Sequence, residues 1–420
     1  VAAGRDGRLL TIDGEPFSFR AAARLTPEES GEHTLTLVQA GHARVMVDGE
    51  VVLDGFTDPP PLGEAFFGTG SVEVGAGVSL VADETVEVVV EYSSADSGFL
   101  HGAQVGLRPP EVDDLVDRAV ALAAEADAVV LVVGTNDDWE TEGRDRESMD
   151  LPGAQPELIR RVCAANPRTA VVVNAGSVVT MDWADGAPAV LQSWFGGQEM
   201  GDALVDVLFG DAEPGGRLPT TVPHRLSDTP AFTNYPGESG RVYYGEGVFV
   251  GYRWYEARDI DVAYPFGHGL GYTAFTWGAA RLGDVPSAAA LAAGATVTAT
   301  VAVTNTGDRP GSEVVQCYVA HLDPVVARPP QELRGFAKVH LEPGETAEVV
   351  IELDQRAFAY WDPADPGYAD RNHRVPVAAG GGHVGHREEA GWYADPGDYE
   401  VRLGASSADI RAVMALTLEG

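Results

Sequence analysis

The run Asp138-Trp139-Glu140-Thr141-Glu142-Gly143-Arg144-Asp145-Arg146-Glu147-Ser148-Met149-Asp150-Leu151-Pro152-Gly153 concentrates more chemistry than any other stretch of the chain. Glu140 and Glu142 stand at i and i+2, with further acids, two arginines and an aromatic around them, directly after the apolar run 128–133. A carboxylate at the exit of a buried strand, held among apolar and cationic neighbours, suits general acid/base work. To give a proton away it must first hold one, which burial or a second carboxylate favours, and Glu140 is close enough in sequence to Glu142 to act that way. Read alone, the same residues also suit a solvated acidic loop that caps helices.

Placing such a loop requires a scaffold, and residues 110–275 alternate helix and strand. Apolar Leu115, Ala119, Leu122 and Ala123 recur at helical spacing over 112–127, with acids in the first turn. A buried-type strand follows at 128–133, then a helix at 154–165, a strand at 169–173 closed by Asn174-Ala175-Gly176, a strand at 189–193 and a helix at 199–209. This order predicts a largely parallel sheet covered on both faces. Ligands of such sheets sit at the carboxyl ends of the strands, where 134–143 falls.

The flanking regions are all-β. Residues 1–108 carry short strand-like runs at 34–38, 43–47, 51–53, 71–74 and 85–92, and Asp48-Gly49 is a two-residue hairpin signal. Residues 284–420 carry strand-like runs at 296–305, 312–319, 346–353 and 399–403 between turns such as Glu342-Pro343-Gly344, as in an immunoglobulin-like or fibronectin-III-like sandwich. A Gly-, His- and Pro-rich insert between Pro363 and Glu389 reads as a long loop. The expected domains are therefore 1–108, 109–280 and 281–420.

Composition narrows the partners. The 420 residues carry 64 acids against 28 Lys and Arg, a formal charge of −36, which disfavours nucleic acid and anionic membrane. Cys163 and Cys317 are the two cysteines, too few for a disulfide framework, and the ten histidines show no ligand-type pairing. The expectation is no metal and no cofactor. No run of about 18 apolar residues marks a membrane span. No signal peptide is visible, and with two unpaired cysteines the reading leans cytoplasmic, although Val1 lies inside what reads as a domain truncated at its start. Glycines at Gly134, Gly196-Gly197 and Gly215-Gly216 follow no phosphate-binding pattern and read as tight turns. His268 has no catalytic partner motif and is expected in interdomain hydrogen bonding.

The chain resembles glycoside hydrolase family 3, which includes many β-glucosidases. The likeness rests on the loop above and on Asp150-Leu151-Pro152-Gly153-Ala154-Gln155, Asn174-Ala175-Gly176-Ser177, Trp194-Phe195-Gly196-Gly197-Gln198-Glu199 and Leu208-Phe209-Gly210-Asp211. It continues through Pro214-Gly215-Gly216-Arg217-Leu218-Pro219, the run from Gly245 to Tyr255, the run from Pro265 to Thr273, and Pro396-Gly397-Asp398-Tyr399-Glu400-Val401. The stretch from Gly31 to Asp54 is similar to a PA14 domain, a β-sandwich inserted in some family members, here incomplete at its N-terminal side.

The resemblance implies a fold of PA14-like sandwich, α/β sandwich and fibronectin-III-like sandwich. It implies Glu142 as acid/base, because the family glutamate precedes a Gly-aromatic-Asp-Arg run and Glu142 precedes Gly143-Arg144-Asp145-Arg146; Arg144 replaces the aromatic. Glu140 is the alternative acid or a hydrogen-bonding neighbour. The family's PA14 insert carries an aromatic onto the sugar beyond the cleavage point, which makes Phe66 or Phe67 a substrate contact; a β-bulge with one Phe in the core is the competing account. Trp139 is read as a stacking surface for sugar or as a plug at the sheet edge. The family's nucleophilic aspartate sits on a (β/α)8 barrel, and this chain has no eight-fold βα pattern. The resulting expectation is a portion of a retaining, exo-acting β-glycosidase for terminal β-linked sugars, glucose by default. Its barrel would lie on another chain or segment, and an oligomer is possible. The alternative is a non-catalytic carbohydrate-binding or structural subunit.

Overall fold

β-branched and aromatic residues on alternate positions build the first sheets, because side chains of a strand point to opposite faces in turn. The computed structural model describes residues 2–3, 9–10, 16–63, 65–95, 97, 100–110, 114–142, 145–363 and 389–420. It divides into two units, Val1–Leu115 and Val116–Gly420. In the first, strands β1 (Ser18–Leu25), β2 (Gly31–Ala40), β3 (His42–Val47), β4 (Glu50–Asp54), β5 (Val74–Leu80), β6 (Val86–Ser93) and β7 (Gly102–Arg108) form two antiparallel sheets, ordered β1-β6-β3-β4 and β5-β2-β7. Leu35 and Leu37 from one sheet meet Ala43, Val45, Leu53 and Tyr92 from the other in a shared core. The Asp48-Gly49 hairpin forms as expected, with φ 47° and 84° at its two central residues and Val47 paired with Glu50.

Two expectations shift here. The strand placed at 71–74 starts at Val74 and runs to Leu80 through Gly75 and Gly77, glycines that obscure a strand pattern. Phe66 and Phe67 are not on a bulged strand. Both take left-handed backbone, φ 52° and 55°, in the turn Ala65–Gly68, a conformation that bulky residues adopt rarely. The Phe66 ring turns in against Gly70 and Gly102, while Phe67 is 78% exposed.

The second unit begins with helix α1 (Leu115–Glu125), strand β8 (Val129–Gly134), helix α2 (Gln155–Ala165), strands β9 (Thr169–Asn174) and β10 (Ala189–Gln192), and helix α3 (Met200–Phe209). The three strands are parallel in the order β8-β9-β10. Gly134 pairs with Asn174, so β8 and β9 end level and their exit loops meet. Helix α2 supplies Ile159 and Cys163 to a core with Val133, Val171, Val173 and Trp183. Leu115 and Leu122 of α1, Val130 and Val132 of β8, and Val205 and Phe209 of α3 stay exposed.

The chain ends in a second β-sandwich: β11 (Phe275–Trp277), β12 (Arg281–Leu282), β13 (Val297–Asn305), β14 (Gly311–His321), β15 (Glu332–Leu341), β16 (Thr346–Leu353), β17 (Tyr360–Asp362), β18 (Gly391–Tyr393), β19 (Gly397–Gly404) and β20 (Ile410–Leu418). Strand β13 pairs with β11, β12 and β16; the facing sheet runs β15-β14-β19-β20. Their inner faces bury Val297, Val301, Val315, Phe358, Tyr399 and Leu403. The long loop expected between Pro363 and Glu389 lies, for residues 364–388, outside the described residues. Among the described residues no helix is long and apolar enough to cross a membrane, and no three His, Cys, Asp or Glu side chains gather as a metal site would. Cys163 and Cys317 are buried and free.

The interdomain hydrogen bond expected of His268 is made by its neighbour: Gln316 Nε2 donates to the Gly267 carbonyl at 3.0 Å, while the His268 ring stacks on Tyr264 with centroids 5.3 Å apart. Burial, reinforced by Arg217, holds the His268 imidazole below its ordinary 6.5, and burial with Arg328 does the same for His321. Below 6.5 the unfolded chain takes up protons that these native imidazoles refuse, so stability is full above that pH and falls as pH drops through the folded values. The thermal midpoint, followed by circular dichroism, should therefore decline on acidification from about pH 7 to about pH 5.5, and His268→Gln should flatten part of that decline.

Candidate active site

Gly134 closes β8 so tightly against β9 that a Cβ on it would stand 1.8 Å from the Asn174 carbonyl oxygen. Gln155, opening α2, brackets the same peptide: its Oε1 accepts from Gly134 N at 2.7 Å and its Nε2 donates to Gly134 O at 3.0 Å. From this fixed point the acidic loop leaves. An Asx turn, with Asp138 N donating to Asn136 Oδ1 at 3.2 Å, and the bonds from Trp139 N and Glu140 N to Asn136 O turn the chain back over the β9 exit.

Glu140 is the anchor of this turn. Its Oε2 accepts from Gly176 N at 2.9 Å, and its Oε1 accepts from Ser177 Oγ at 2.9 Å, Ser177 N at 3.3 Å and Arg146 Nη1 at 3.3 Å. Its side chain is only 13% exposed. Arg146 reaches on to the Val178 carbonyl at 2.7 Å, Asp145 accepts from the Tyr235 hydroxyl, and Asp150 accepts from Thr180 Oγ1. Hydrogen bonding to Asp145 raises the Tyr235 phenol above its ordinary range.

Glu142 lies between these pins and is exposed, as is Thr141. Gly143 and Arg144, which carry the register of the family pattern, lie outside the described residues. Thus Glu140 and Glu142 differ in kind: one has both oxygens committed to the protein, the other faces solvent. Trp139 is half-buried with its Nε1 buried, and Thr135 Oγ1 and Asn174 Oδ1 are buried at the ends of the same two strands. None of the three atoms has a partner among the described residues.

Sequence reading named Glu140, Glu142 and Trp139, which the fold does bring onto one loop, but it missed their supports. Ser177, Arg146, Phe195 and Tyr235 are joined to the loop by contacts up to 90 residues apart in sequence; Arg146, Ser177 and Phe195 fell in motifs singled out beforehand, but without a supporting role, and Tyr235 in none. Phe66 and Phe67 lie in the first unit. At Gly176 a Cβ would stand 2.6 Å from Glu140 Oε2 and 2.7 Å from the Phe195 ring. Gly176→Ala should therefore displace the anchor and cost about 1–3 kcal/mol by overpacking, read as a lowered urea midpoint.

Known proteins resemble the chain over nearly its whole length. The glycosyl hydrolase family 3 C-terminal domain matches residues 30–272, and a fibronectin type III-like domain matches residues 313–380. The chain belongs to glycoside hydrolase family 3. It is 43% identical to a β-glucosidase of Rhizobium radiobacter over 97% of the chain and 47% of that protein. It is 39% identical to a probable β-glucosidase I of Aspergillus terreus over 95% of the chain and 46% of that protein. The structure of a β-glucosidase from Kluyveromyces marxianus in complex with glucose superposes with a TM-score of 0.82 at 37% identity, covering 96% of this chain and 45% of that one. The chain spans about half the length of the curated relatives it matches.

Proposed function

We propose that this chain is the acid/base-bearing portion of a retaining, exo-acting β-glucosidase, with Glu142 as the acid/base and the nucleophilic aspartate on a (β/α)8 barrel that lies outside these 420 residues, on another chain or segment. The observation that carries the reading is the contrast between Glu140, fixed by four donors, and Glu142, exposed at the mouth of the parallel sheet. Retention needs two carboxylates about 5–5.5 Å apart across the sugar. Glu140 is spent on the β9 exit loop, Asp145 on Tyr235 and Asp150 on Thr180, which favours a nucleophile from elsewhere.

In the first step the aspartate attacks the anomeric carbon, the glycosidic C–O bond breaks, and the Glu142 proton passes to the departing oxygen. In the second, Glu142 takes a proton from water as that water attacks the anomeric carbon, and the ester to aspartate breaks. Such chemistry works best away from bulk water, so the barrel is also the proposed cover for Glu142. The open apolar side chains of α1, β8 and α3 and the buried Thr135, Trp139 and Asn174 atoms that lack a partner among the described residues suit such a cover. Residues 1–108 are assigned to a PA14-like domain whose exposed Phe67 serves as a sugar contact, with Phe66 as its support; Trp139 is assigned as a sugar contact on the acidic loop. Residues 109–280 are the family α/β domain and 281–420 the fibronectin-III-like domain.

The test is an aryl β-glucoside assay on the 420-residue chain alone and after mixing with the half of the Rhizobium radiobacter relative that it does not span. Turnover only in the mixture is the expected result; turnover by the chain alone would place the nucleophile in it.

A further inference from the structure

Seven tryptophans occur in the chain, and two of them, Trp361 and Trp392, are exposed. These two stand directly opposite each other on the antiparallel pair β17–β18, so their side chains share one face. Their ring centroids lie 5.5 Å apart with planes at 60°, and they are 51% and 36% exposed. Neither contributes to the sandwich core, which closes over Phe358, Tyr399 and Leu403 without them. The Arg356 guanidinium sits 3.6 Å above the centre of the Trp392 ring, which fixes that indole and sets N–H donors beside it. Large indole surfaces left in water forgo burial free energy, and paired exposed aromatics rimmed by polar groups are a mark of a binding surface.

We infer that Trp361 and Trp392, with Arg356, form a binding surface for a neutral, soluble β-glucan chain, separate from the acidic loop. A β-linked glucopyranose offers axial C–H groups on its faces and hydroxyls around its rim. It can lie against an indole while its rim stays hydrated or accepts from Arg356. The formal charge of −36 repels acidic glycans, which selects neutral ones. Rings inclined at 60° cannot both lie flat beneath a planar ribbon. They fit sugars turned relative to each other, as in twisted β-1,3 or mixed-linkage chains, and do not fit the flat face of crystalline cellulose. Because Arg356 covers one face of Trp392, the sugar takes the other. The surface would hold polymer near the enzyme while cleavage proceeds elsewhere.

Affinity electrophoresis of the 420-residue chain in native gels containing barley mixed-linkage β-glucan or laminarin tests this directly. The wild-type chain should be retarded. Trp361→Ala and Trp392→Ala should each weaken binding about tenfold, the loss expected when one aromatic stacking contact is removed, and the double variant should migrate as in a plain gel. Trp361→Phe should retain part of the retardation. Phe336→Ala, an exposed aromatic on β15, should keep all of it, which ties the retardation to the tryptophan pair. Depletion by microcrystalline cellulose should be absent. An unretarded wild type, a double variant retarded as strongly as wild type, or equal binding to crystalline cellulose would overturn the inference. So would a double variant whose retardation is unchanged while its sedimentation shifts, since the indoles would then be a protein contact.

Discussion

Glutamine at position 142 should lower turnover of an alkyl β-glucoside by about 10²–10⁴-fold in the assembled enzyme, the usual contribution of a positioned acid/base. Glutamine keeps the shape of glutamate, so the anchors at Glu140, Asp145 and Arg146 remain, and the loss reports the proton itself. A dinitrophenyl glucoside loses its leaving group without protonation, so its first step should survive and the covalent glycosyl-enzyme should accumulate for want of a base. Added azide, which attacks without a base, should restore turnover and yield the β-glucosyl azide. Glu140→Gln predicts a different pattern. It weakens an acceptor for the Gly176 and Ser177 amides, loosening the loop, so all leaving groups should suffer alike and azide should not help. Exchange of these two patterns would make Glu140 the acid.

The second large effect concerns the join between the α/β region and the C-terminal sandwich. Glu313 has a side chain only 5% exposed. Its Oε1 accepts from Arg217 Nη2 at 3.0 Å, and its Oε2 accepts from Arg411 Nη1 at 3.3 Å and Trp277 Nε1 at 3.4 Å. Glu313→Ala leaves Arg217 buried without a counter-charge, with its Nε already lacking a partner among the described residues. Removing one member of a buried pair costs about 3–5 kcal/mol. Arg411 keeps Asp409 at 2.8 Å, so the loss falls mainly on Arg217. The double variant Glu313→Leu with Arg217→Met should be less destabilised than Glu313→Ala, since no charge is then stranded. Urea denaturation of the three proteins gives the comparison, and a double variant at least as unstable as the single one would show that the pair does more than neutralise itself.

Elements with strong local signals were legible from sequence. β8 and β9 are runs of β-branched residues, α2 carries a helical apolar stripe, and Asp48-Gly49 could turn in few other ways. Several strands were missed, β7 and β15 among them; in others the pattern is diluted, as in β5, displaced by Gly75 and Gly77, and β1 with its run of alanines. Strand β20 does alternate, half-buried Ile410, Ala412 and Met414 between exposed neighbours, and was missed although the turn-type run Gly404–Asp409 precedes it. At the site, residue type and spacing isolated Glu140 and Glu142 but could not divide their roles. That division depends on Gly176 and Ser177, 36 and 37 residues away, and on β8 and β9 ending level. Such pairing across a sheet is set by tertiary register, which no local window contains.

The central claim is that the acid/base lies within these 420 residues and the nucleophile outside them. A fluorinated β-glucoside that arrests retaining enzymes as the glycosyl ester tests it most directly, applied to the reconstituted mixture and followed by intact-mass and peptide mass spectrometry. The account predicts one sugar equivalent on an aspartate of the barrel-bearing polypeptide and an unmodified 420-residue chain. A glycosylated Asp or Glu within this chain would contradict it.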